Sequence, residues 1–78
     1  MLTISIIAEA YAVSRQAITN WRQRGKLSLR DFLNPQLVHD RLNSKLERYS
    51  LPVAELNDER RQMEITGFFR ANGYLKKK

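Results

Sequence analysis

The chain has no cysteine, one histidine, two prolines and three glycines in 78 residues, and each scarcity excludes something. Without cysteine there is neither a disulfide framework nor a thiolate metal site to support a small fold, and the absence fits a reducing compartment. The lone histidine, His39, stands beside Asp40 in a helical stretch. No second histidine or cysteine can complete a metal site with it, and no nucleophile lies at a useful spacing. It reads as an exposed helix residue, and neither metal nor cofactor is expected. Gly25, Gly67 and Gly73 are too scattered for a phosphate-cradling loop, and the carboxylates are dispersed among basic residues. No catalytic constellation emerges, so an enzyme is not expected. No apolar run approaches the roughly 20 residues of a membrane span. The first residues lack the basic leader, long apolar core and small-residue cleavage site of a secretory signal. The expectation is a cytoplasmic protein without membrane contact.

Acidic residues are also in short supply, eight against fourteen lysines and arginines, for a formal net charge of +6. Residues 1–34 carry five basic side chains (Arg15, Arg22, Arg24, Lys26, Arg30) against two acidic ones, Glu9 and Asp31. Residues 35–71 carry six of each, and Lys76, Lys77 and Lys78 follow. Positive charge gathered in one half and the tail is the electrostatic footprint of a nucleic-acid binder. Solubilising surface lysines produce the same total, so charge alone leaves the two readings level. A chain this short buries only about 60–65% of its unfolded surface, and dimerisation is the common remaining way to add buried area. A single domain over residues 1–78 is expected.

The punctuation is helical throughout. Thr3 can cap a helix from Ile4 to Tyr11, and Ser14 a second from Arg15 to Arg24, with Gly25 as its left-handed stop. Ser28 and Asp31 form an S-x-x-D signal, which makes Leu29 to Leu33 a short helical turn, an irregular strand being the alternative. Asn34-Pro35 restarts the chain as a helix to about Tyr49, whose inward ladder is Leu37, Val38, Leu42, Leu46 and Tyr49. Ser50-Leu51-Pro52 breaks it. A last helix from Val53 to Ala71 carries Val53, Leu56, Met63, Phe68 and Phe69, with a polar middle and Gly67 as places for a kink. Arg60 and Arg61, flanked by glutamates, read as a solvated face. Residues 74–78 read as a tail, either solubilising or a basic arm for DNA. The expected fold class is a small all-α helix-turn-helix domain of four to five helices. Lys26 to Leu33 offers no hairpin turn for a wing.

Within residues 4–24 the pattern is sharper. Ala8 supplies the small residue that two steeply crossing helices need at their contact. Ala12 occupies a turn position where the backbone goes left-handed, at a cost of about 1–2 kcal/mol for alanine. Val13 plugs the turn from below, and Ile18 and Trp21 face inward from the second helix. Its outward positions are Arg15, Gln16, Thr19, Asn20 and Gln23, side chains suited to base edges and phosphates. The segment SIIAEAYAVSRQAITNWRQRG resembles the helix-turn-helix of phage and bacterial regulators. It is similar to the N-terminal motif of phage terminase small subunits and of excisionase-like and MerR-like proteins.

That resemblance implies double-stranded DNA as partner, with helix 15–24 in the major groove. Arg15 would then pair with guanine, Gln16 and Asn20 with adenine, and Thr19 with a thymine methyl, with Gln23 on the same face. Ser14 would meet a phosphate, and Arg22, Arg24, Lys26 and Arg30 would hold the backbone. One short helix makes few contacts, so a homodimer is expected, its copies held by the helices of residues 35–71 and reading half-sites about one helical turn apart. The leading expectation is a sequence-specific transcriptional regulator, such as a repressor. A DNA packaging or recombination accessory factor is the first alternative. A small helical protein-interaction module or inhibitor, engaging a protein partner through its arginines or C-terminal helices, is the second. The amides Gln16 and Asn20 favour DNA, because a binder of acidic proteins needs none.

Overall fold

Four short polar side chains start the helices of the first half. Thr3 Oγ1 accepts from the Ile6 N–H at 3.3 Å and opens α1 (Ile4–Tyr11). Ser14 Oγ accepts from the Ala17 N–H at 3.1 Å and opens α2 (Arg15–Arg24). Around a 3-10 helix, Leu29–Leu33, Ser28 Oγ accepts from the Asp31 N–H at 3.3 Å while Asp31 Oδ2 accepts from the Ser28 N–H at 2.8 Å. Asn34 Oδ1 takes the Leu37 N–H at 3.2 Å at the head of α3 (Pro35–Lys45). Each such cap contributes about 0.5–2 kcal/mol and leaves little freedom in where a helix begins.

The computed structural model describes residues 1–45 and 51–75. They form a small all-α domain, with no strand among them and therefore no wing between α2 and α3. Leu46, Tyr49 and Lys76–Lys78 lie outside the described residues. No described helix is long and apolar enough to cross a membrane.

The second half departs from expectation in four places. The helix expected over residues 53–71 is two, α4 (Val53–Leu56) and α5 (Glu59–Ala71). Asn57 and Asp58 fold their N–H groups back onto Ala54 and Glu55, and the Asp58 carboxylate then caps α5 by accepting from the Arg60 N–H at 2.9 Å. The break lets Leu56 point inward from one axis and Ile65 and Phe69 from another, and all three are fully buried. Met63, expected inside, is 68% exposed. The tail also begins later than expected: Tyr74 is half-buried, its hydroxyl donating to the Met1 carbonyl at 2.7 Å. His39 is likewise less open than expected, its side chain 14% exposed beside buried Val38.

The core is organised on Tyr11. Its ring meets Trp21 of α2 and Phe32 of the 3-10 helix edge-on, both at 5.9 Å between centroids, and Phe69 of α5 at 6.2 Å. Its hydroxyl donates to the Phe32 carbonyl at 2.6 Å. One side chain thus joins four elements, and aromatic pairs of this geometry add about 0.5–1.5 kcal/mol each beyond burial. Burial holds the phenol far above its ordinary acidity range, the Arg61 guanidinium pulling the other way.

Three helices end with the same hydrogen-bond device, an N–H reaching back five residues past a left-handed one. Val13 donates to Ala8 at 3.0 Å, Leu27 to Arg22 at 3.0 Å and Tyr74 to Phe69 at 2.9 Å. The left-handed residues are Ala12 (φ 57°), Lys26 (φ 53°) and Gly73 (φ 83°). Gly25 is therefore not the left-handed stop, its φ being −83°. It is glycine for space: a Cβ there would stand 2.7 Å from the Trp21 carbonyl oxygen and 3.3 Å from Leu27 Cδ1. The turn passes to Lys26.

Candidate nucleic-acid interface

α2 lies against α1 through small residues. Ala8 and Ala10 on α1 and Ala17 on α2 are buried, while Ile18 and Trp21 drive into the core. The three residues between the helices are Ala12, left-handed as expected, Val13, packed beneath the turn, and Ser14, the cap. With that inner face occupied, helical periodicity turns Arg15, Gln16, Thr19, Asn20 and Gln23 outward.

The structure brings these five together on one surface. Arg15, Gln16 and Gln23 are exposed, and Thr19 and Asn20 are partly so. Gln16 Nε2 donates to Asn20 Oδ1 at 3.2 Å, joining the two amides into a ladder one turn long. That bond uses one of two Gln16 amide hydrogens and one lone pair of Asn20, so both amides keep donor and acceptor capacity. Thr19 Oγ1 donates to the Arg15 carbonyl at 3.1 Å, and the Ser14 hydroxyl already accepts the Ala17 N–H. Arg15 and Thr19 also border a shallow cleft of about 570 Å³ with Met1, Thr3 and Leu29.

Arg22, Arg24 and Lys26 are exposed and gather at the far end of α2. There they sit beside the helix's partial negative charge, which by itself favours basic residues in a last turn. Arg30, the fourth expected backbone contact, is exposed but lines a separate cleft with Arg70 and Tyr74. From Ala10 to Arg30 the sequence contains no acidic residue. The α2 surface is consequently of one sign.

Two supporting arginines escaped sequence reasoning. Arg41 of α3 directs Nη1 at the Gly25 and Lys26 carbonyls, both at 3.5 Å, at the end of α2. Arg61 of α5, expected on a solvated face, is half-buried and donates through Nη2 to the Tyr11 carbonyl at the end of α1. Each cation stands where helix carbonyls lack intrahelical partners. No local pattern signals such contacts, because the partners are far apart in sequence. Among the described residues no three histidine or carboxylate side chains converge as a metal site would require. No protein-family model, curated protein or solved structure matches the chain.

Proposed function

We propose that this chain is a DNA-binding helix-turn-helix protein that lays α2 in the major groove of double-stranded DNA. Within that class we read it as a sequence-specific transcriptional regulator acting as a pair of copies in the cytoplasm. The observation that carries the reading is the outer face of α2, where an arginine and four side chains able to read bases lie together on an acid-free surface. The tight three-residue turn and the small residues packed where α1 and α2 meet support it.

In this reading Arg15, Gln16, Thr19, Asn20 and Gln23 meet base edges, the Gln16–Asn20 ladder spanning neighbouring bases. The Ser14 hydroxyl and the free N–H groups of the first turn of α2 donate to a phosphate, and Arg22, Arg24 and Lys26 hold the backbone. Three phosphate contacts per copy give a slope of about −3 in log affinity against log salt. A single helix makes too few contacts for a selective site, so two copies act on paired half-sites.

The test is an amide chemical-shift titration with a short mixed-sequence duplex, first at low and then at physiological salt. Shifts concentrated at residues 14–26 that fade as salt rises are the expected result. If those amides do not move at low salt, α2 is not a DNA-reading helix, and an acidic protein becomes the partner to seek.

A further inference from the structure

The outward face of α5 is only partly used by its own chain: Gln62 Nε2 donates to the Leu56 carbonyl at 2.8 Å and to Gln36 Oε1 at 3.0 Å, while Glu59, Met63 and Arg70 face solvent. Met63 is 68% exposed. Gly67 occupies the helix interior on the side away from buried Ile65 and Phe69, and a Cβ there would meet nothing within 4 Å. Glycine weakens a helix relative to alanine, and nothing in the chain uses the space it leaves. Glu59 and Arg70 are both exposed, and neither forms an ion pair with another described residue. Glu59, Gln62, Met63, Thr66 and Arg70 follow one another at helical spacing and line a shallow groove of about 320 Å³.

We propose that this stripe is where a second copy of the chain docks, with its α5 antiparallel to the first. The stripe begins with an acid and ends with a base, so reversing it produces its own complement, as a two-fold interface requires. In the register that sets Glu59 opposite the second copy's Arg70, Met63 falls opposite Thr66. Symmetry makes each of these contacts twice. Gly67 flanks this stripe one turn from Met63, and its missing side chain leaves the second helix room to approach. A parallel pairing sets Glu59 against Glu59 and Arg70 against Arg70, which like-charge repulsion disfavours. Duplex DNA is a poor occupant, because the outer surface of α5 alternates Glu59, Arg60, Glu64 and Arg70 and has no net positive charge to offer phosphates. A dimer joined this way deepens the DNA-binding reading by naming what holds two copies together, and its evidence includes no α2 residue.

Sedimentation equilibrium of the full chain without DNA, from micromolar to millimolar concentration, tests the interface. The wild-type chain is expected to dimerise. Arg70→Glu and Glu59→Arg should each raise the dissociation constant by about tenfold or more, and the combined reversal should restore dimerisation. Gly67→Leu, which meets nothing in its own chain, should give a folded monomer with an unchanged circular dichroism spectrum. A wild-type monomer throughout the range overturns the proposal. So does a dimer indifferent to both single reversals, or one that the double reversal does not rescue. Repeating the duplex titration on Gly67→Leu separates the two ideas. Shifts in α2 without any wild-type dimer leave DNA reading standing alone, and charge-reversible dimers with a silent α2 leave only the interface.

Discussion

α2 and α5 both drive an aromatic ring against Tyr11, Trp21 from one and Phe69 from the other, yet they present different chemistry to solvent. The outer face of α2 is arginine and amide with no carboxylate, whereas α5 interleaves Glu59, Arg60, Glu64 and Arg70 around an exposed methionine. A surface of one sign attracts a polyanion at long range and repels its own copy. A surface of alternating sign has little net field and can match itself in a single register. Two helices with a common anchor are therefore suited to different partners, and the difference lies wholly in what faces outward.

Removing the common anchor should erase both surfaces at once. Tyr11→Ala takes away a fully buried ring and three aromatic contacts, a loss of about 3–5 kcal/mol. That is a large part of the roughly 5–15 kcal/mol available to a domain. Thermal melting followed by circular dichroism should show a broad, early or absent transition, and a variant melting like wild type would mean that Tyr11 is not central.

The faces can next be broken one at a time. Arg15→Ala should weaken binding to a selected duplex and relax base preference by about 1–3 kcal/mol, with no effect on self-association. Lys26→Ala should weaken all duplexes alike and reduce the salt slope by about 0.9. Arg70→Glu should do neither on a half-site. Fluorescence anisotropy across a salt series separates the three patterns, and an Arg70→Glu effect equal to that of Arg15→Ala would abolish the distinction between the helices.

A subtler test works through the anchor's proton. Because burial holds the Tyr11 phenol above its ordinary value of 10.0, the unfolded chain releases this proton near pH 10 while the folded chain keeps it. The stability contributed is therefore complete below pH 10 and is lost as pH climbs further, by about 1.4 kcal/mol per pH unit. Tyr11→Phe should cost about 1–3 kcal/mol at neutral pH, by leaving the Phe32 carbonyl unpaired. The gap between the two proteins should then narrow above pH 10. Urea unfolding from pH 8 to pH 11 measures it, and a constant gap would show that the phenol ionises in the folded chain.

The smallest effect belongs to the turns. Ala12→Gly relieves a left-handed alanine and should raise stability by up to about 1 kcal/mol, or about 4–8 °C in melting temperature, after the entropy lost to a freer unfolded chain. Lys26→Gly should give a similar gain in stability but weaken DNA binding. Equal DNA affinity for these two variants would exclude Lys26 from the interface.

How far the fold can be read from sequence follows the range of the forces involved. Thr3, Ser14, Ser28 with Asp31, and Asn34 act on N–H groups three residues away or fewer, so the first four helical starts are legible. The outward face of α2 is legible too, because Ile18 and Trp21 fix which side is buried. The corner at Asn57-Asp58 is harder to find, since a polar run can either continue a solvated helix or cap a new one. Met63 leaves the core and Ile65, absent from the expected set, enters it because that corner resets the face of α5. Arg61 is beyond local reasoning, its acceptor being 50 residues earlier in the chain.

The carbonyl ends of α1 and α2 are held by guanidinium groups from α5 and α3, and Tyr11 takes part of its packing from Phe69. The unit of α1 and α2 is therefore not portable. Excised near Leu33, it would lose both clasps and one wall of its core. Grafted onto another protein, it would need that host to supply two cations and an aromatic ring at matching places. If α2 reads DNA as proposed, its specificity is better retargeted by exchanging its outward residues within this scaffold than by moving the helix elsewhere.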